Sequence, residues 1–138
     1  MLKDALGEYR GTIGELSRII GEQPENAEAY YSRANAKSCA GDYVGAVKDF
    51  TMALKIGLRF REMITAYGNR GIARMETGDN DGAIADFSAI ITRKPNNRLL
   101  LRSAYVNRAL LKERQGELQG AAWDRKMAEL CTHGKKQQ

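Results

Sequence analysis

Long apolar runs are missing from these 138 residues. None approaches the roughly 20 residues that a helix needs to cross a bilayer, so no membrane-spanning segment is expected. The Met1–Arg10 start lacks a basic segment followed by an apolar stretch, which argues against an export signal. Cysteine is nearly absent. Cys39 and Cys131 stand far apart and outside any Cys-x-x-Cys pattern, which excludes a disulfide framework and a zinc knuckle. Two reduced thiols in a cytoplasmic protein are the expectation. The only histidine, His133, lies in a stretch without apolar periodicity, and neither a Gly-rich phosphate loop nor metal-ligand spacing occurs. Cys131-Thr-His133 sets a thiol beside an imidazole, but a frayed terminus cannot hold the two in reacting geometry. No catalytic residue, metal or cofactor is therefore expected, and the protein is not read as an enzyme.

Proline is scarce too, at two residues, and β-branched runs are few. What is abundant is Ala, Leu, Arg, Glu and Lys, residues that lose little side-chain freedom in a helix. The composition is that of an all-α chain long enough to bury one core.

Self-comparison supplies the organisation. Tyr30-Tyr-Ser-Arg33-Ala34 returns as Tyr67-Gly-Asn-Arg70-Gly71 and as Tyr105-Val-Asn-Arg108-Ala109. Each copy continues with a basic residue (Lys37, Arg74, Lys112), a Gly-acidic turn (Gly41-Asp42, Gly78-Asp79, Gly116-Glu117), a small residue (Ala46, Ala83, Ala121) and an aspartate (Asp49, Asp86, Asp124). Glycine closes a first helix in the left-handed conformation, and the acidic residue after it starts a second. The unit is a helical hairpin. Small residues in mid-helix let the two backbones approach, while Tyr30, Phe50 and Leu54, and in the next unit Tyr67, Phe87 and Ile91, fill the space around them. One hairpin cannot bury its apolar stripe alone, so three must stack.

These residues resemble the tetratricopeptide repeat, with its aromatic residue, its small residues, its Ala-x-x-x-Phe and its terminal proline. The second unit fits best, through Tyr67, Gly71, Ala83, Phe87 and Pro95. The resemblance implies a right-handed α-solenoid of helix-turn-helix hairpins. It divides a single domain over residues 1–134 into full units 27–60, 64–97 and 102–134, with 135–138 as a disordered tail. Short insertions at Arg61–Met63 and Arg98–Leu101 lengthen the first helices of units two and three. Gly7-Glu8 repeats the turn once more, so residues 8–23 read as the second half of a further unit.

Arg33, Arg70 and Arg108 depart from the family pattern, standing where leucine is usual, and each precedes an aspartate by sixteen residues. In a hairpin that spacing joins the mid-points of the two helices. The expectation is three structural pairs, Arg33 with Asp49, Arg70 with Asp86 and Arg108 with Asp124, because a lone buried charge is costly. Arg125 replaces the second-helix phenylalanine once.

The resemblance implies that function lies in the concave groove lined by first helices, binding a protein or peptide. The groove residues selected are Tyr31, Asn35, Asn69, Ile72, Asn107 and Leu110. An Asn amide both donates and accepts, so it can pair with peptide backbone whatever the sequence. Tyr31, Ser103 and Asn107 occupy places where a C-terminal-carboxylate clamp needs cations, so no such clamp is expected. The alternative function is a nucleic-acid-binding helical repeat, since the net charge is +5 and Lys37, Arg74 and Lys112 recur in register. Acidic residues spread through the same units disfavour it. Finally, a helix from about Glu117 to Leu130 is expected to turn Ala121, Met127 and Leu130 towards the place of a further hairpin. Trp123 would look outward beside them, a candidate interface for a homodimer through an exposed solenoid end.

Overall fold

A computed structural model describes residues 2–133, with side chains from 6 to 132. Residues 135–138 and the imidazole of His133 lie outside the described part. The described residues form seven α-helices and no strand: α1 (Leu2–Glu22), α2 (Ala27–Cys39), α3 (Tyr43–Ile56), α4 (Phe60–Thr77), α5 (Asn80–Arg93), α6 (Arg98–Arg114) and α7 (Leu118–His133). They pair as hairpins α2–α3, α4–α5 and α6–α7. Each second helix also packs on the first helix of the following hairpin, and α1 packs on α2. The stack is an α-solenoid.

The hairpin turns follow from their residues. Gly78 closes α4 at φ +86°, a left-handed conformation that costs a Cβ-bearing residue about 1–2 kcal/mol. Asp79 then caps α5 by accepting a 2.9 Å hydrogen bond from the Gly82 N–H, and Asp42 does the same for α3 through Gly45. Close approach of the two helices rests on small residues. A Cβ at Gly71 would stand 2.8 Å from Cζ of Phe87, so the phenyl ring occupies the space that glycine leaves.

The core divides into two clusters, each shared between a hairpin and its successor. Phe50 packs with Ala34 and Ala46 of its own hairpin and with Ala66 of α4. Phe87 and Ile90 pack with Ile64 and with Ala104 and Leu111 of α6. Fully burying a side chain of this size contributes about 1.5–3 kcal/mol, and neither cluster closes without the neighbouring hairpin. In the third hairpin the phenylalanine place holds Arg125, which stays exposed and donates a 2.6 Å hydrogen bond to Glu113.

Two expectations are corrected. There is no turn at Gly7-Glu8, because α1 runs through it unbroken. Breaking a helix forfeits hydrogen bonds, a loss offset only where the returning helix packs, and among the described residues no earlier helix packs back on α1. Glycine there is tolerated rather than required, since a Cβ at Gly7, Gly11, Gly14 or Gly21 would meet nothing within 4 Å. At the other end, Ala121 does not face a further hairpin: it is buried within its own. The α7 position that corresponds to Thr51 and Ser88, which touch the next hairpin, is Lys126, and the position of Leu54 and Ile91 is Glu129. The stacking face of α7 is thus polar.

Candidate functional site

The three arginines project from the middle of the first helices, where straight spacing along α2, α4 and α6 puts each opposite an aspartate of its own second helix. Arg33 donates to Asp49 from Nε (2.7 Å) and Nη2 (2.8 Å). Arg70 donates to Asp86 from Nη2 at 2.6 Å, and Arg108 to Asp124 from Nε (2.9 Å) and Nη2 (2.7 Å). All three aspartates are buried. The bidentate fork suits a carboxylate taken out of water, which would otherwise be strongly disfavoured. The bond to Asp49 also raises the Arg33 pKa and so holds that group charged. Each guanidinium lies 5.7–5.9 Å from the centroid of a tyrosine ring: Tyr30, Tyr67 or Tyr105. Tyr30 therefore serves the charge cluster as much as the core.

A second cation joins every pair. Lys37 reaches Asp49 at 3.0 Å, Arg74 reaches Asp86 at 3.0 Å and Lys112 reaches Asp124 at 3.3 Å. The residues that suggested a basic stripe are thus drawn in against the aspartates and largely covered, so although each cluster of two cations and one carboxylate keeps a net positive charge, they do not stand out as a free stripe and the nucleic-acid alternative is not favoured. The remaining arginine nitrogen reaches backwards along the stack. Nη1 of Arg33, Arg70 and Arg108 donates to Ser17, Thr51 and Ser88 at 3.0–3.1 Å. Ser17 and Thr51 give their own protons to the carbonyls of Ile13 and Val47, which leaves the hydroxyl oxygen free to accept. Each arginine therefore ties three helices. The sequence reading missed these hydroxyls, although Thr51 and Ser88 stand two residues after Asp49 and Asp86 and the repeat alignment carries that signal.

The residues selected for the groove fall on α2, α4 and α6. Asn69 donates to Asn35 at 3.0 Å, which brings those two amides together across adjacent first helices. Asn107 stands apart and donates to Ser103 at 3.3 Å. Ile72 is 43% exposed and Leu110 is half-buried. Tyr31 differs from the reading. Its ring meets Phe50 edge-on at a centroid distance of 6.1 Å and belongs to the core around it, so only part of it faces outward. Between α4 and α6 a cleft of about 520 Å³ opens beside Phe60, Thr65 and Leu100, which no repeat position announces. Trp123 on α7 is 61% exposed and Leu130, two turns on, is 42% exposed.

No protein-family profile matches the chain. Over 82 residues, 59% of its length, it is 33% identical to tetratricopeptide repeat protein 36 of Bos taurus, and over 82 residues it is 32% identical to the Homo sapiens protein of that name. The matched stretch spans 44% and 43% of those proteins, so the chain covers less than half of the curated relatives it resembles. Two crystal structures of MamA superpose with TM-scores of 0.79 and 0.78 at 23% and 24% identity, over 91% and 93% of this chain and 70% and 66% of theirs. That likeness is one of fold. Three hairpins with the same small, aromatic and turn residues in register, stacked as in these structures and matched over part of their length by repeat proteins of this name, support a tetratricopeptide repeat family for the chain.

Proposed function

We propose that this chain is a protein-interaction scaffold whose concave face, formed by α2, α4 and α6, binds an extended or helical segment of a partner protein. The observation that carries the reading is Ile72, an apolar side chain 43% exposed on the first helix α4, about one turn on from Asn69 of the Asn35–Asn69 amide pair. Exposed aliphatic groups beside unsaturated amides can supply contact area and backbone hydrogen bonds together. The reading assigns no chemical step to the chain. The relatives it resembles are repeat proteins by name, which supports a protein partner and leaves its identity open. Two unpaired cysteines, Cys39 and Cys131, fit a reducing compartment such as the cytoplasm.

The test is affinity for a partner recovered by pull-down, compared between the wild type and the double variant Asn69→Ala with Leu110→Ala. A loss of about tenfold or more, roughly 1.4 kcal/mol, is expected. Unchanged affinity would move the site off this face.

A further inference from the structure

One place in the proposed groove lacks a side chain that its neighbours have. In the first hairpin the position holds Tyr31, packed on Phe50 beside Ala66 of the following first helix. In the third it holds Val106, and in the second it is Gly68. Beneath Gly68 lies a hollow lined by the corresponding residues, Phe87 and Ala104, together with Ile90. Ile90 stands where the first hairpin has Ala53 and leans into the gap, with its Cδ1 3.5 Å from a Cβ built on Gly68. It fills part of the space and leaves the rest.

The remaining hollow shares Ile64, Thr65 and Leu100 as walls with the wide cleft between the first turns of α4 and α6. That cleft owes its depth to helix length: α4 and α6 have 18 and 17 residues against 13 in α2, so only this pair has early turns to wall it. Phe60, 50% exposed, forms one side and the buried Pro95 lies at its base. At about 520 Å³ it falls in the size range of ligand sites. Arg61 stands on the rim, and among the described residues no carboxylate lies within ion-pair distance of it.

We propose that this cleft seats a large apolar side chain, aromatic by preference, from a partner peptide that carries an acidic residue next to it. The inference rests on the groove reading above. An aromatic ring is the group that the first hairpin itself places over Phe50; the hollow under Gly68 is lined mainly by apolar side chains, and Phe60 and Leu100 carry an apolar wall on into the cleft, where Asn96 and Asn97 make the rest of the lining polar. The unpaired Arg61 selects a carboxylate at the mouth rather than an ammonium. The Asn35–Asn69 amides lie along the same face to receive the backbone.

The experiment titrates the full-length, ¹⁵N-labelled protein with N-acetyl-phenylalanyl-aspartyl-amide, with its alanyl-aspartyl and phenylalanyl-lysyl counterparts and with adenosine monophosphate. The first compound is expected to shift the backbone amides of Thr65, Gly68 and Leu100. The alanyl compound should leave them in place, and the lysyl compound should bind more weakly. Arg61→Glu should weaken the aspartyl compound by about fivefold, the scale of an exposed ion pair. Gly68→Tyr, which supplies the missing ring from within, should abolish the shifts, and Thr65→Phe, at a half-exposed position that bridges hollow and cleft, does the same if the first variant fails to fold. Equal response to the phenylalanyl and alanyl compounds, or a response to adenosine monophosphate in place of the dipeptide, overturns the proposal. Shifts confined to Asn107 and Leu110 would remove the cleft and keep the groove. Shifts nowhere on α2, α4 or α6 would remove both.

Discussion

At the scale of the residue, the arginine clusters decide most. Arg70 bonds to two helices besides its own, and its loss would leave the buried carboxylate of Asp86 with Arg74 alone. Breaking a buried pair from one side costs about 3–5 kcal/mol. Because Arg74 stays at 3.0 Å, Arg70→Ala is expected to destabilise the fold by about 3 kcal/mol, the low end of that range, as read from the urea midpoint at unchanged slope. A change below about 1 kcal/mol, typical of exposed pairs, would show that solvent reaches Asp86. The sixteen-residue spacing made these pairs legible in the sequence, since spacing and hairpin geometry together fix which side chains meet. The second cation and the backward hydroxyl were not read, because each is a contact that the hairpin pattern does not demand. The cysteines behave differently from each other. Burial pushes the Cys131 thiol up, while Cys39 is exposed. A raised pKa means less thiolate at a given pH, and thiolate is the nucleophile. Iodoacetamide at mildly alkaline pH should therefore label Cys39 first, and labelling of Cys131 should go on accelerating as the pH rises further. Equal rates at both sites would contradict its burial.

At the scale of the element, two glycines of α4 separate local preference from packing. A Cβ at Gly68 meets only Ile90, at an ordinary 3.5 Å, whereas one at Gly71 meets the Phe87 ring at 2.8 Å. Gly68→Ala should stabilise the protein by about 0.5–1 kcal/mol through helix propensity. Gly71→Ala gains the same propensity but must displace a packed ring, and overpacking costs about 1–3 kcal/mol, so a net loss is expected in thermal melting. If both substitutions stabilise, the α4–α5 contact is looser than its distances indicate. The turns at Gly41, Gly78 and Gly116 were legible because positive φ has few residue solutions. The same dipeptide at Gly7-Glu8 misled, because a turn also needs a helix to pack against, and sequence alone does not say whether one is there. Tyr30 and Tyr31 are adjacent, and telling core from rim between them depends on the helix rotation that packing sets.

At the scale of the whole molecule, α7 leaves Leu118 exposed in its first turn and, on another side, an apolar strip further along. Trp123 and Leu130 share one helix face, and Met127 lies between them, half-buried. A large rigid aromatic group in such a place contributes disproportionately to contact energy. Self-association through this surface is expected at tens of micromolar, the usual scale for a small interface, and sedimentation equilibrium of the wild type against Trp123→Ala checks it. A monomeric wild type removes the dimer, and a dimer indifferent to the substitution places the contact elsewhere.

The backward reach of the arginines gives the stack a direction. Every hairpin plugs its guanidinium into a hydroxyl socket on the helix before it: Ser17, then Thr51, then Ser88. The next socket in register is Lys126, an ammonium that repels the plug. A copy of the second hairpin grafted after α7 would thus meet like charge where it needs an acceptor, and a swap of Lys126 for threonine would restore the fitting. The joint between successive hairpins thus turns on one hydroxyl-bearing side chain of the earlier second helix, and a charge at that place weakens the joint without touching either helix's own fold.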